Sequence, residues 1–492
     1  MMPVLLISDV LLFVLIALTV TGLVFAARRE PIRRAWRNVL SDPIAMAALA
    51  VLMVFVTGAI LDSLHFRRAL PPAAVVAPAA TTAPASTMTS AKTYYSVEVE
   101  SLLDVALGDP RARREKSYSA PFAHTLFERQ SVDLGDGRRA RQYPRLKYGA
   151  AQLKDPEHDK ASDIASRAAW GVTAALGCVC VMGLLIGGGI ARRHRIPLRV
   201  ALHRLCEGET VLAWRAFLAS STILLVVLVP LLFLSMHYHV FGTDRVGNDL
   251  FHYAFKAMRT ALLIGTLTSL VTLPLGIGFG IAAGYIGGWV DDAVQYIYTV
   301  ISSIPYVLLI AASVLLMQVV IQSHDAWFDT AAARADARLV SLCLIIGAIS
   351  WTSLCRLMRA EALKLRELDY VQAARAFGVT PLSIMRRHIL PNAFHIVLIT
   401  LVLDFSGLVL AEAVLSYVGV GVDAATISYG SMINSARAEL ARDPMVWWQI
   451  ATAFVFMVSL VLAANLFADA VREAFDPRGQ GATRRRLRRR PA

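Results

Sequence analysis

Two carboxylates lie within one long apolar stretch of the chain, and their position demands a chemical explanation. Asp404 is near the middle of residues 394–415, and Glu412 is near their end. A carboxylate at the centre of a bilayer costs about 2.5–3.5 kcal/mol on insertion scales, so such a side chain must face protein or water. On a helix with 100° per residue, Glu412 projects within roughly 80° of Asp404. Either Asp404 lines a translocation path for a polar solute, or it makes a buried structural hydrogen bond or salt bridge.

Signatures of catalysis are absent from the sequence. It contains no GxxxxGK[ST] phosphate loop, no HExxH zinc motif and no GxSxG nucleophile elbow. His237 and His239 follow an apolar stretch, and we interpret them as solvated and not as metal ligands. Gly276, Gly280 and Gly284 recur every four residues, which is typical of a helix face packed closely on another membrane helix. We therefore expect a protein that is not an enzyme, with no catalytic residue, metal site or cofactor of its own.

The composition places these residues in a membrane protein. The chain has 492 residues, of which 56% are hydrophobic and 17% charged, and its mean hydropathy is +0.55. A helix needs about 20 apolar residues to cross a bilayer. The sequence therefore predicts an all-α polytopic membrane protein. About nine spans are expected, at residues 4–26, 43–61, 169–190, 217–236, 259–283, 293–317, 339–357, 394–415 and 446–470.

One large polar segment, residues 62–168, separates the second span from the third. It contains an Ala/Pro-rich stretch, residues 70–91, which is typical of a flexible linker. The remainder mixes charged and apolar residues, so it forms either a small domain or an ordered cap on the membrane part. We expect this segment to be extracytoplasmic.

The basic residues predict the orientation and one partner. The formal net charge is +13, and basic clusters flank apolar stretches in residues 28–42, residues 191–215 and the tail 479–492. Short loops rich in Lys and Arg face the cytoplasm and meet anionic lipid headgroups. The C-terminus should thus be cytoplasmic and the N-terminus outside. We expect no nucleic-acid partner, because no nucleic-acid-binding motif accompanies the charge.

The segment 361–391, EALKLRELDYVQAARAFGVTPLSIMRRHILP, has the pattern of two short helices joined by a turn. Gly378 supplies the left-handed conformation that ends a helix. Thr380 and Pro381 are favourable at the start of the next helix, which Pro391 is expected to close. Exposed Arg side chains would be available to a partner protein. The alternative is an ordinary amphipathic loop on the membrane surface.

Residues 372–378, QAARAFG, followed nine residues later by HILP, resemble the EAA loop of binding-protein-dependent ABC importer permeases, most closely those of the oligopeptide and dipeptide branch. In that family the loop is a coupling helix that sits in a cleft of a cytoplasmic ATPase subunit. The resemblance implies coupling roles for Gln372, Ala373, Ala374, Arg375, Gly378, Leu390 and Pro391. Gln372 replaces the usual Glu, so a charge-assisted contact would become a neutral one.

Other stretches resemble the same family in the same order. They are GTDRVGND at 242–249, AGYIGGWVD at 283–291, EAVLSYVGVG at 412–421 and FDPR at 475–478. The implied organisation is two N-terminal helices (1–61), the extracytoplasmic segment (62–168), an additional helix with a basic loop (169–216), a permease domain with a six-helix core (217–478) and the basic tail (479–492). The span at 43–61 is an alternative candidate for the first core helix.

The resemblance implies the membrane subunit of an ATP-driven importer for peptides or similar small solutes, in the bacterial inner membrane. Its partners would be ABC ATPase subunits that bind ATP and Mg²⁺, a second permease subunit and an extracytoplasmic substrate-binding protein. Two other classes remain open on the residues alone. One is an ion-coupled secondary transporter that uses Asp404, and the other is a membrane anchor whose polar segment 62–168 binds a partner.

Overall fold

The computed structural model describes residues 2–27, 30–69, 95–96, 99–108, 113–133, 139–328, 330–423 and 426–475. The predicted linker 70–91, the tail 479–492 and most of the FDPR motif lie outside these residues. Sixteen α-helices occur in the described chain: α1 Ile7–Ala27, α2 Glu30–Ser41, α3 Pro43–Ser63, α4 Leu102–Ala106, α5 Pro156–His194, α6 Leu198–Glu207, α7 Trp214–Ser235, α8 Leu250–Ile286, α9 Trp289–Ser303, α10 Tyr306–Ser323, α11 Ala331–Arg366, α12 Asp369–Ala376, α13 Pro381–Ile384, α14 Leu390–Val418, α15 Tyr429–Ala436 and α16 Trp448–Phe475.

The all-α polytopic prediction is confirmed. Among the described residues, eight helices are long and apolar enough to cross a membrane: α3, α5, α7, α8, α10, α11, α16 and the continuous stretch Pro381–Val418 that contains α14. Helix α1 coincides with the predicted first span. Several helices extend well past the predicted spans, since α5 has 39 residues and α8 has 37.

The prediction of one continuous span over residues 293–317 is wrong. Helix α9 ends at Ser303 and α10 begins at Tyr306, and Ile304 between them has an extended backbone. Pro305 explains the break, because proline lacks an N–H donor and disfavours helical geometry in the preceding residue. The hydropathy of the stretch does not reveal this interruption.

The glycine stripe on α8 packs against α11, as its four-residue spacing predicted. A Cβ added to Gly280 would lie 2.7 Å from the carbonyl oxygen of Cys355, and one on Gly284 would lie 2.6 Å from the carbonyl oxygen of Arg359. At Gly276 the nearest atom would be in Leu354, at 2.8 Å. The two helices therefore approach to a distance that only glycine permits.

Helix α3 occupies an interior position beside α8. Its Phe55 and Ala59 are buried in the largest apolar cluster together with residues of α8, α14 and α16. A Cβ on Gly58 would meet the sulfur of Met258 at 2.8 Å. Helices α5 and α7 instead form a closely packed pair, in which a Cβ on Gly171 would lie 2.4 Å from the Cα of Pro230. This packing favours the span at 43–61, and not α7, as the first helix of the core.

Five short strands lie at one end of the bundle. Strands β1 Met2–Pro3, β2 His65–Arg67 and β3 Glu100–Ser101 form an antiparallel sheet in the order β1-β2-β3, and β4 Gln130–Asp133 pairs with β5 Arg139–Gln142. Because β1 pairs with the strand that follows α3, the N-terminus and the start of the polar segment lie on the same side. A buried ion pair of 2.6 Å between Asp9 and Arg259 holds the start of α1 to α8.

The described residues 113–133 and 139–153, hereafter the cap, lie on the loop between α7 and α8. Tyr118, Leu126 and Ala150 are buried there. The backbone N–H of Glu115 donates to the carbonyl of Gly247 at 3.0 Å, and that of Phe122 donates to the carbonyl of His239, also at 3.0 Å. These contacts favour the ordered cap over an independent small domain.

Candidate functional site: the coupling segment and a cavity among the helices

Helix α12 rests on the bundle through a few buried apolar side chains. Val371, Ile384 and Ile389 are at most 1% exposed, and they pack in one cluster with residues of α11 and α8. Gly378 has φ +77°, so it adopts the left-handed conformation that its position after α12 predicts. Residues 361–391, hereafter the coupling segment after the role that the resemblance implies, thus contain a firmly seated pair of helices and not a loose surface loop.

The opposite face of the same segment is open. Of the residues that the resemblance singles out, Gln372, Ala373, Arg375, Gly378 and Pro391 are exposed, whereas Ala374 and Leu390 are partly buried against the apolar cluster.

Two large apolar side chains mark the tip of this open face. Phe377 is 87% exposed and Leu382 is 73% exposed, on either side of the turn. Arg375, Arg386 and Arg387 are exposed around them, without an ion-pair partner among the described residues. Exposed apolar side chains that lie together and are surrounded by charged residues mark interaction sites. Phe377 and Leu382, with the three unpaired Arg side chains around them, therefore form a surface suited to a protein partner.

Tyr370 connects the two ends of the segment, which sequence reasoning missed. Its hydroxyl oxygen accepts a hydrogen bond of 3.0 Å from the side-chain amide of Asn392, and its ring lies 6.1 Å from that of His388. Gln372, where the resemblance implies Glu, donates to the backbone carbonyl of Glu367 at 3.2 Å. Both bonds stay within the chain, and neither has a recognisable signal in the local sequence pattern.

The expectation that Pro391 closes the second helix is wrong. The helical stretch is continuous from Pro381 to Val418 and passes through Pro391. Met385–Ile389, directly before the proline, form a π-helical turn. The wider turn accommodates a ring that lacks an N–H donor, so the helix continues where the local rule predicts an end.

A cavity of about 290 Å³ opens among α8, α10, α11 and α14. Asp404 lines it, together with hydroxyl side chains that include Ser269, Thr272, Tyr306 and Ser350. The carboxylate of Asp404 is half-buried and forms no hydrogen bond or ion pair with the residues that the structure describes. Of the two interpretations of Asp404, this position matches the polar path and not the structural bond.

Glu412 lies elsewhere, although the helical spacing places it near Asp404. Its side chain is 2% exposed, and its Oε1 accepts hydrogen bonds of 2.6 Å from Ser416 and 2.8 Å from Ser428. Ser428 precedes α15, so Glu412 ties α14 to the loop before that helix. The structure does not bring Glu412 to the cavity.

The AGYIGGWVD turn is held to α11 by a paired ionic contact. The Nε and Nη2 atoms of Arg359 donate to the two carboxylate oxygens of Asp291 at 2.5 and 2.6 Å. Arg366 adds a bond of 3.3 Å to the carbonyl of Gly284. A bidentate Arg–carboxylate pair fixes geometry more strictly than a single hydrogen bond, so this turn and the start of the coupling segment are mechanically connected.

His239 is buried in the junction between cap and bundle and not solvated as expected. Its Nδ1 lies 2.8 Å from Asp249, and its Nε2 lies 3.4 Å from Glu115. Burial alone would lower the pKa of His239, but the two carboxylates outweigh it and raise the pKa to about 9. Burial likewise opposes ionisation of Glu115, yet hydrogen bonds from His239 and three backbone N–H groups lower its pKa to about 2.

Comparisons with known proteins agree with this architecture. Residues 276–480 match the family described as binding-protein-dependent transport system inner membrane component. The chain is 30% identical over 241 residues to the oligopeptide transport system permease protein OppC of Haemophilus influenzae, a match that covers 49% of this chain and 71% of the relative. It is also 30% identical over 240 residues to the dipeptide transport system permease protein DppC of Lactococcus lactis, covering 49% of this chain and 64% of that relative, slightly less than two thirds.

A putative peptide permease protein of Brucella suis is 30% identical over 244 residues, with 49% of this chain and 74% of the relative covered. The matched region contains the coupling segment, the glycine stripe of α8 and the cavity-lining parts of α10, α11 and α14, whereas the cavity-lining residues of α8 precede it. This chain belongs to the family of binding-protein-dependent transport system inner membrane components.

Proposed function

We propose that this protein is the membrane subunit of an ATP-driven importer for peptides or similar small solutes. The observation that carries the proposal is the coupling segment, which is firmly seated on one face and presents Phe377, Arg375 and Gly378 on the other. ATP and Mg²⁺ would bind in separate ATPase subunits. A second permease subunit would complete the pore, and an extracytoplasmic binding protein would deliver the substrate.

The peptide substrate is proposed from the relatives, whose names describe oligopeptide and dipeptide transport. The six-helix core would consist of α3, α8, α10, α11, α14 and α16, with α5 and α7 as an additional pair. Closure of the ATPase subunits would press on α12 and, through the continuous helix 381–418, change access to the cavity beside Asp404.

The proposed orientation places the coupling segment in the cytoplasm of a bacterial cell and the cap outside its inner membrane. Basic loops near α2 and α6 support this orientation, because short Lys/Arg-rich loops stay in the cytoplasm. The pairing of β1 with β2 supports an external N-terminus, since it puts residue 2 on the same side as the cap.

Gly378 offers a direct test with a matched control. Gly378 and Gly419 have φ of +77° and +87°, and a Cβ at either position would meet no atom within 4 Å. A leucine at either site should therefore cost about the same backbone strain, on the order of 1–2 kcal/mol. Gly378→Leu should also obstruct a partner that approaches the coupling segment, whereas Gly419→Leu, at the other end of α14, should not.

The measurement is ATP hydrolysis in tagged protein purified from cells that contain its natural partners. We expect the ATPase activity that co-purifies with Gly378→Leu to be at least 10-fold lower than that of the wild type. The activity that co-purifies with Gly419→Leu should equal that of the wild type. Equal activity in both variants would contradict the coupling role. Substrate uptake by vesicles that contain this chain alone would instead support the alternative of an ion-coupled transporter using Asp404.

A further inference from the structure

The cavity among the helices has a definite chemical character. Its volume of about 290 Å³ equals that of on the order of ten water molecules, which suits one end of a small solute. Among the described residues that line it, Asp404 is the one charged group, and the remainder are apolar, glycine, serine, threonine or tyrosine. No Lys, Arg or His side chain in this lining can neutralise the carboxylate.

Four of the six hydroxyl groups in the lining present oxygen lone pairs to the cavity, because their hydrogens are already engaged. Ser269, Thr272 and Ser350 each donate to the backbone carbonyl four residues earlier, at 2.7, 3.0 and 2.7 Å. Ser350 has one hydrogen, so Tyr306, whose oxygen lies 3.1 Å from it, must be the donor of that pair. The lining therefore offers one carboxylate and several acceptors, and lacks free donors at these positions.

We propose that this cavity binds the primary ammonium group of the transported solute, the amino terminus of a peptide, with Asp404 as its counter-ion. An ammonium group has three donors and no acceptor, which is complementary to a carboxylate surrounded by hydroxyl oxygens. The inference rests on the proposed function, since it names the end of the peptide that enters the cavity. It also explains why a carboxylate occurs at residue 404, where an uncompensated charge within the membrane would cost free energy.

The test measures peptide binding to the purified full chain and does not require an ATPase. The probes are trialanine and N-acetyltrialanine, which differ in the amino-terminal charge, and the readout is the concentration dependence of the thermal shift that each produces. Loss of a charge-assisted hydrogen bond weakens binding by about 10- to 100-fold. We expect this difference between the two peptides in the wild-type chain, and the same loss of trialanine binding in Asp404→Asn.

Asp469→Asn is the matched control, because Asp469 is exposed on α16 and does not line the cavity. It should bind trialanine as the wild type does, and Asp404→Glu should retain part of the binding. If Asp404→Asn does not fold, the difference in affinity of the wild-type chain for trialanine and N-acetyltrialanine is sufficient to test the proposal.

Equal affinity of the wild type for both peptides would overturn the proposal. So would stabilisation by Na⁺ or K⁺ that depends on Asp404, because it would assign the carboxylate to an inorganic cation. Neither result would affect ATP hydrolysis by the complex, so failure of this inference is distinguishable from failure of the importer function.

Discussion

Replacement of Gly280 by alanine tests the close contact between α8 and α11. A Cβ at this position would lie 2.7 Å from the carbonyl oxygen of Cys355 and 2.6 Å from the Cβ of Met358, whereas ordinary contact begins at 3.4 Å. The first of these atoms is backbone, so a rotamer change cannot relieve the overlap. Helices α8 and α11 would have to separate locally by about 0.7 Å, the difference between 3.4 and 2.7 Å.

The expected free-energy change has two opposing parts. Overpacking of a close interface costs about 1–3 kcal/mol, and more where backbone must move. Alanine is favoured over glycine in a helix interior by up to about 1 kcal/mol. Gly280→Ala should therefore lower the free energy of unfolding by about 1–2 kcal/mol. Gly278, two residues away on the same helix, has no atom within 4 Å of its added Cβ. Gly278→Ala should consequently be neutral or stabilising by up to about 1 kcal/mol.

Buried thiols provide an assay that reports on this interface. Cys178, Cys180 and Cys206 are exposed, whereas Cys343 and Cys355 are buried. In a background with the three exposed cysteines changed to serine, a thiol-reactive dye should label the chain only when α11 becomes accessible. Gly280→Ala should lower the temperature of labelling and Gly278→Ala should not. If Gly280→Ala proved at least as stable as Gly278→Ala, the close packing of α8 on α11 would be refuted.

Two further predictions concern the exposed Phe377 of the coupling segment and the contact of His239 with the cap. Phe377→Asp should abolish binding of the proposed ATPase subunit, because it places a charge where about 1.5–3 kcal/mol of apolar burial is expected. Val211→Asp, which changes another exposed apolar residue, should not, and equal loss in a pull-down would contradict the assignment. The pKa of His239 is raised to about 9 in the folded protein despite its burial, because its protonated ring is paired with Asp249 and Glu115. The protonated ring therefore stabilises the folded state fully below pH 6.5, and this contribution is lost as the pH rises towards 9. The melting temperature of wild type should fall across this interval and that of His239→Gln should stay nearly constant; parallel curves would refute the role of the contact with Glu115 and Asp249.

The features that the sequence predicted well are those in which local stereochemistry leaves few choices. Gly378 ends α12 in the left-handed conformation because residues with a Cβ are strained there. The four-residue repeat of glycines on α8 predicted a packed face for a similar reason. The membrane spans were visible because about 20 apolar residues in a row have few other stable locations.

The features that it did not predict depend on contacts between distant segments. Pro305 separates two helices, whereas Pro391 lies inside one, and the difference is the π-helical turn before Pro391. Helical spacing alone put Glu412 near Asp404, but it did not reveal that Ser428 approaches from a loop 16 residues away. The interior position of α3 is likewise a tertiary property, since its hydropathy resembles that of α7.

The helical stretch 381–418 runs without a break from the coupling segment to the cavity. Asp404 lies 14 residues after Leu390, which corresponds to about 21 Å along a helix axis at 1.5 Å per residue. Helix α12 contacts the start of this element through the bond between Tyr370 and Asn392. A force applied at Phe377 and Leu382 would therefore displace Asp404, unless the π-helical turn at 385–389 deforms instead. Asn392→Ala removes the bond to Tyr370 and a second one of 2.7 Å to the carbonyl of His388. It should therefore reduce uptake while ATP hydrolysis by the complex persists; equal loss of both activities would show that Asn392 acts in assembly.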